Sequence, residues 1–407
     1  MDCKKVSYTL PFKGFNIYNA TAYVQDHTLI NRGITTLGGS TAPQCVMSNN
    51  KYEAQERALM GGIYFIASYL TPILLIPQYN KYFLKNKGII KSLEGEAKKI
   101  IQVPKKYLTP DGDLKKGLEE TAQRLKLQDK NIFNEIYERY NNPEKLKKDL
   151  LSVHEKILMT DFITTGAMWS AIPWIATEFT EHRTKRKDFS AGFNLKKDEN
   201  KSQSKTKKML WNIGFSIIPG ILFAKTVTKG LSIKSKNPIL KKITKNPHNF
   251  DYASGTNMTK TIYASIWVLS SFPAKLISSR DKNERKDRAL RDIGLFTMFF
   301  GGDFAINNIA GRIADKIFKT KIIDPKTHNL RNFRMLDEVK DLDPAVLKKT
   351  KNIGAGIYWF SLLTNTILIG FGLPKLLNKF LRYNIKKENE KTQTFSNFTI
   401  SEFLKKS

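Results

Sequence analysis

Long uncharged stretches alternate along this chain with stretches dense in Lys and Glu, and that alternation sets the elements that can form. Residues 58–80 and 352–374 are uncharged runs of 23 residues each. At 1.5 Å of rise per residue, a run of this length crosses roughly 30 Å of hydrocarbon. Pro72 and Pro77 lie inside the first run. Membrane helices tolerate such prolines where neighbours satisfy the freed carbonyls, and the prolines kink them. A third run covers 157–179, with Asp161 and Glu178 near its ends and Trp169 and Trp174 inside. Residues 209–228 and 261–279 hold shorter uncharged cores of 16 and 14 residues. These reach spanning length only if Lys225 and Lys275 extend toward the headgroups; half-spanning or buried helices are the other reading. Residues 293–311 are apolar except for Asp303, Asn307 and Asn308. The pattern predicts an all-α, polytopic membrane helix bundle of six transmembrane helices.

The intervening segments are basic. Residues 81–156 read as a loop of amphipathic helices, with Leu114, Leu118, Ala122 and Leu125 at helical spacing. Asn142-Pro143-Glu144 reads as an N-cap, a proline at the first helical position and an acid in the first turn, so that helix can run straight into the span at 157–179. Asp343-Pro344 repeats the signal before 352–374. Residues 180–208, 229–260, 280–292 and 312–351 read as aqueous loops and 375–407 as a basic tail. Residues 1–57, rich in Thr, Asn, Tyr and Gly, read as irregular, with a linker at Gly38-Gly39-Ser40-Thr41-Ala42-Pro43.

A repeat is visible across the later spans. Asn212-Ile213-Gly214 matches Asp292-Ile293-Gly294, and Gly220, Phe223, Ala224 and Gly230 match Gly301, Phe304, Ala305 and Gly311 at an offset of 81. Ile262, Ala264, Ile266 and Ser270 match Ile353, Ala355, Ile357 and Ser361 at an offset of 91, and Ser170 and Pro173 match Ser270 and Pro273 more faintly. Units of this kind would be parallel helical hairpins. Paired glycines such as Gly61-Gly62 and Gly370 with Gly372 read as faces where helices approach closely.

Composition changes the picture in one respect. The net charge is +31, yet only 14 of the 68 basic residues are Arg. Arg is the usual reader of phosphates and base edges, and the basic residues are spread over every loop, so the expected partners are the lipid bilayer and its anionic headgroups, not nucleic acid. The sequence does not fix an oligomeric state. Cys3 and Cys45 imply no disulfide framework. The run of spans predicts a bacterial inner-membrane location. The short, dense loops 180–208 and 280–292 place both termini in the cytoplasm.

No catalytic or cofactor signature is present: HExxH, GxSxG and a Walker A loop are all missing, and His27, His154, His182, His248 and His328 are scattered. The candidate polar site is intramembrane. Asp303 sits mid-run, where a charged side chain costs about 3 kcal/mol on insertion scales, so it must face other helices or water or be protonated. Asn307 lies one turn on, beside Asn308. Together they suit a cation, a proton relay or a polar headgroup; an interhelical hydrogen bond to Asn365 or Lys275, or a partly aqueous position, is the alternative. Lys275 is the second candidate, as an ion-pair partner of Asp303. The expected function is passage or handling of a small solute, ion or lipid, with a non-catalytic membrane scaffold as the alternative. A polar cavity favours the first and a tightly packed apolar core the second. Either way the chain is expected to stay with membranes through an alkaline carbonate wash, since surface charge cannot hold apolar spans; its release into the supernatant would contradict the membrane reading.

Overall fold

The computed structural model describes residues 17–48, 50–90, 96–125, 127, 131–185, 205–233, 236–253, 257–280, 282–324, 343–383, 386–387 and 390. Cys3 and the basic tail beyond 390 lie outside the described residues, as do a few side chains within helices, that of Asp303 among them. The described secondary structure is helical apart from one short antiparallel pairing of Tyr252–Ala253 with Asn257–Met258.

Among the described residues, seven helical elements form the bundle: α1 (residues 28–46), α2 (Lys51–Asn86), α3 (Pro143–Thr184), α4 (Lys205–Ser232), α5 (residues 260–277), α6 (Lys282–Phe318) and α7 (Pro344–Tyr383). Of these, α2, α6 and α7 are long and apolar enough to cross a membrane. Phe304, Ile309, Ile313 and Ile317 on α6, and Phe360, Leu363 and Ile367 on α7, are each more than half exposed. An apolar belt of this extent suits lipid, not water.

The expected caps start the helices. Asn142 Oδ1 accepts from the Lys145 amide at 3.0 Å, with Pro143 next in line. Asp343 Oδ1 accepts from the Ala345 amide at 2.7 Å, ahead of α7. From Asn142 the chain runs 42 residues without a break, so α3 links the charged region outside the bundle to its centre. Outside the bundle, Leu114–Arg124 buries Leu114, Leu118 and Ala122 as their spacing predicts.

At the bundle's heart α3 meets α4 and α5. Ser170, Ser216 and Ser270, one from each helix, are buried and hydrogen-bonded to one another at 2.8 to 3.3 Å. Small hydroxyl residues let backbones approach closely while satisfying their own polar groups. A Cβ on Gly220 of α4 would meet Ile163 at 2.9 Å, a close approach of the kind the glycines predicted. The matched pair Ser170 and Ser270 therefore touch. The pair α4 and α6 differ: α6 carries a π-helical segment at Thr297–Gly302, and α4 is α-helical throughout.

Two expectations are corrected. Residues 17–46, expected to be irregular, are helical: Ile17–Asp26 is followed by α1, and the supposed linker Gly38 to Pro43 lies within it. The threonines that argued against a helix bond back to their own turn, as Thr21 Oγ1 to the Ile17 carbonyl (2.7 Å) and Thr35 Oγ1 to that of Asn31 (3.0 Å). The glycines are contact points: a Cβ on Gly61 of α2 would lie 2.3 Å from Thr41, and one on Gly370 of α7 would lie 2.5 Å from Pro43. Tertiary packing, not local propensity, holds this segment. The second correction concerns 280–292. It is no aqueous loop: Lys282–Phe296 is the first half of α6, and Glu284, Asp287, Arg288, Arg291 and Asp292 are all buried. Its basic residues are therefore not loop charges and carry no weight for the orientation of the termini.

Where α3 leaves the bundle, His154 is buried and its Nε2 has no partner. Burial, and then the nearby Lys105 charge, hold its pKa well below the ordinary value. Lys105 is itself buried against Asp251, and burial lowers its pKa. The folded chain keeps His154 neutral, while the unfolded chain takes up a proton below about pH 6.5. The unfolded state then binds more protons, so stability rises with pH across that range and falls on acidification, by up to about 1.4 kcal/mol per pH unit for one proton. Thermal melting between pH 5 and 8 is expected to show this acid loss in the wild type and a flatter profile in His154→Gln. An unchanged slope in the variant would assign the loss to other groups.

Candidate functional site

Five π-helical segments interrupt the described bundle helices: Gly33–Thr41 in α1, Ile66–Leu70 in α2, Trp267–Ser271 in α5, Thr297–Gly302 in α6 and Thr366–Gly372 in α7. A π turn inserts a residue into the α repeat, rotates the side chains that follow and loosens the local hydrogen-bond ladder; such turns concentrate at functional sites. All five contribute to the wall of one cavity, through Thr36, Tyr69, Trp267, Phe299 and Thr366 among others. The cavity has a volume of about 370 Å³, within the range of small-molecule sites.

One wall is aromatic and centred on Tyr263. The ring of Trp169 meets it edge-on at 4.8 Å between centroids, Tyr69 stacks at 6.5 Å, and Trp267 and Phe299 lie at 6.1 and 6.0 Å. The Arg32 guanidinium sits 5.6 Å from the Tyr69 centroid, and the Lys275 ammonium 4.9 Å from that of Tyr64 and 5.3 Å from that of Trp267. These are cation–π distances.

Beside this wall lies a largely buried layer of charge. Lys275 Nζ donates to both carboxylate oxygens of Asp292 at 2.8 Å. Arg291 pairs with Asp287 at 2.8 Å, and Arg288 with Glu284 at 2.7 Å. Arg280 reaches Glu284 at 2.9 Å and Glu56 at 3.4 Å, and Arg57 pairs with Glu53 through Nε at 3.0 Å. Arg288 also donates to the Thr177 hydroxyl at 3.1 Å and the Ser278 hydroxyl at 2.7 Å. The layer gathers the start of α2, the end of α3, the end of α5 and the start of α6. Consecutive helices α5 and α6 therefore run in opposite directions, as do α2 and α3.

Of the residues expected to form a polar site, Lys275 and Asn307 line this cavity. Asn308 does not: it is buried, with Nδ2 donating to the Phe304 carbonyl at 3.0 Å and Oδ1 unpartnered. Asp303 begins the α-helical part of α6, and its side chain lies outside the described residues. Lys275 is buried, and its partner among the described residues is not the one expected. Its partner is Asp292, about three helical turns nearer the start of α6 than Asp303, because the link between α5 and α6 is short and closes a tight hairpin.

Sequence reasoning missed Arg57, Arg288, Arg291 and Asp292, and all of α1. A signal for the first group existed: Glu284, Asp287, Arg288 and Arg291 recur at three and four residues, a charged helical face. Among the described residues, no His, Cys, Asp and Glu cluster has the makings of a metal site. Comparison of the chain with family models, with curated proteins and with solved structures gives no match.

The Lys275–Asp292 pair generates a test of the layer. Removing one partner of a buried pair strands the other at a cost of about 3–5 kcal/mol, while replacing both with apolar groups is often neutral. Lys275→Met alone is expected to lower membrane abundance and melting temperature sharply, and Lys275→Met with Asp292→Leu to recover most of both. A double variant as damaged as the sum of the two singles would show that the pair is not coupled.

Proposed function

We propose that this chain is a multi-pass membrane protein, α2 to α7 forming six spans, that takes up a small molecule in the cavity inside its bundle and handles or passes it. The observation that carries the reading is the convergence of all five π segments on one cavity. Each π turn forgoes regular helical geometry, and five of them at one place serve a site better than they serve a packed core. The composition of the wall supports the same reading. An apolar core would close around such a space, but here Trp169 Nε1, Asn365 Oδ1 and Arg291 Nη1 stand buried at its edge without a hydrogen-bond partner among the described residues. Buried polar groups are rarely left unsatisfied, and a ligand can complete them. A scaffold would need none of these features.

The aromatic wall suits an amphiphile: an apolar portion lies against Tyr263 and Trp267 while a polar portion faces the charged layer. The exposed apolar belt on α6 and α7 gives such a molecule a route from the bilayer. Protein extracted into native-lipid discs and analysed by native mass spectrometry is expected to retain a small amphiphile in stoichiometric amount. The cavity-filling variants Thr36→Trp and Leu295→Trp, at normal abundance, are expected to lose it while annular lipid is unchanged. Wild type that carries annular lipid alone, or variants that retain the same molecule, would contradict the reading.

A further inference from the structure

Whichever way the cavity is used, its wall discriminates by charge. Among the described residues, five cations and five carboxylates pair within the layer and balance one another: Arg57, Lys275, Arg280, Arg288 and Arg291 against Glu53, Glu56, Glu284, Asp287 and Asp292. The two signs are not placed alike. Arg57, Lys275, Arg288 and Arg291 line the cavity, and of the five carboxylates Asp292 alone does. Arg32 and Lys260 join the wall from outside the layer. Among the described residues the space is therefore bounded mainly by cationic groups, with most of their counter-charges set behind them.

Arg291 supplies the second, independent observation. It is nine-tenths buried and spends Nε and Nη2 on Asp287, at 3.3 and 2.8 Å. Nη1 is buried with no hydrogen-bond partner among the described residues. A guanidinium N–H left unsatisfied inside a protein costs about 1–3 kcal/mol, and more because it is charged. Arg57 commits Nε and Nη2 to Glu53 and lies within electrostatic reach of Arg291. Two guanidinium groups facing one space, one with an unspent donor, define a receptor for an oxyanion, whose planar or tetrahedral oxygens match the arginine fork. Trp169 Nε1, also buried and unpartnered at the cavity edge, adds a neutral donor.

We infer that the occupant of the cavity is an amphiphile with an oxyanion head, phosphate or carboxylate, whose head is received by Arg291 and Arg57 and whose apolar part lies on the Tyr263 wall. The inference rests on the proposed use of the cavity as a binding site. The same chemistry comes from a free organic anion or from the headgroup of an anionic lipid.

The test uses the full chain in nanodiscs of uncharged phosphatidylcholine, with octyl phosphate and octyl glucoside as probes and saturable thermal stabilisation as the readout. Octyl phosphate is expected to bind at least about tenfold more tightly than octyl glucoside, the worth of one charge-assisted hydrogen bond. Arg291→Lys keeps the pair with Asp287 and removes the spare arm; Arg32→Gln removes a wall cation outside the layer. Arg291→Lys is expected to weaken octyl phosphate by about tenfold and Arg32→Gln by less, and both to leave octyl glucoside unchanged. Repeating the titration in discs containing phosphatidylglycerol separates the sources. Competition identifies a lipid headgroup as occupant and no competition a free anion, and both support the inference. Equal affinity for the two probes, or octyl phosphate binding untouched by both variants, would overturn the oxyanion assignment while leaving the cavity a binding site. Saturable binding of neither probe would overturn the binding-site reading as well.

Discussion

The contact on which the bundle depends is the salt bridge between Lys275 and Asp292, with the layer of arginine–carboxylate pairs around it. A charged pair withdrawn from water is stable only when its geometry is good and its remaining hydrogen-bonding capacity is satisfied. Here Asp292 takes the ammonium on both oxygens and also accepts from the Trp267 indole at 3.4 Å, while Lys275 lies over two aromatic faces. Because the partners sit on consecutive helices, the pair fixes the α5–α6 hairpin. Arg280 ties that hairpin to α2 through Glu56, and Arg288 ties it to α3 through Thr177. Opening any of these contacts leaves a buried charge unpaired, so the layer constrains orientation more than it adds net stability.

Above the layer the helices cannot all pack to one regular repeat. The π segments mark where α1, α2, α5, α6 and α7 change phase, and the space they leave is the cavity. α1 closes one side of it. This helix runs beside the second half of α7, with Asn31 Oδ1 accepting from the Tyr358 hydroxyl at 2.9 Å, Gly39 beside Thr366 and the Met47 carbonyl accepting from Asn378 Nδ2 at 3.3 Å. The two ends of the bundle's sequence thus meet in one wall.

Much of this order was legible in the sequence. The apolar runs at 58–80, 293–311 and 352–374 lie in the three helices long and apolar enough to cross a membrane, and Asn142-Pro143 and Asp343-Pro344 start helices as their cap chemistry dictates. Lys275 and Asn307 were singled out as polar groups in apolar surroundings, and both line the cavity. What escaped has a physical reason. Thr, Gly and Ser in α1 have poor intrinsic helix propensity, and their helix forms because small residues admit α7 and α2 at close range, a tertiary cause with no local signature. Residues 280–292 were read as solvated because charge usually is, yet the spacing of Glu284, Asp287, Arg288 and Arg291 places opposite signs one turn apart, where they neutralise one another and can be buried.

The central claim is that the bundle encloses an accessible cavity and not a solid core, and cysteine accessibility tests it most directly. In a background with Cys3 and Cys45 replaced by Ala, Thr36→Cys and Leu295→Cys place thiols on the cavity wall, and Ser170→Cys places one in the buried serine contact between α3, α4 and α5. A small water-soluble methanethiosulfonate reagent applied to the protein in nanodiscs is predicted to modify the two wall cysteines and spare Cys at 170. Wall cysteines that react only after denaturation, like the one at 170, would show a closed core and contradict the account.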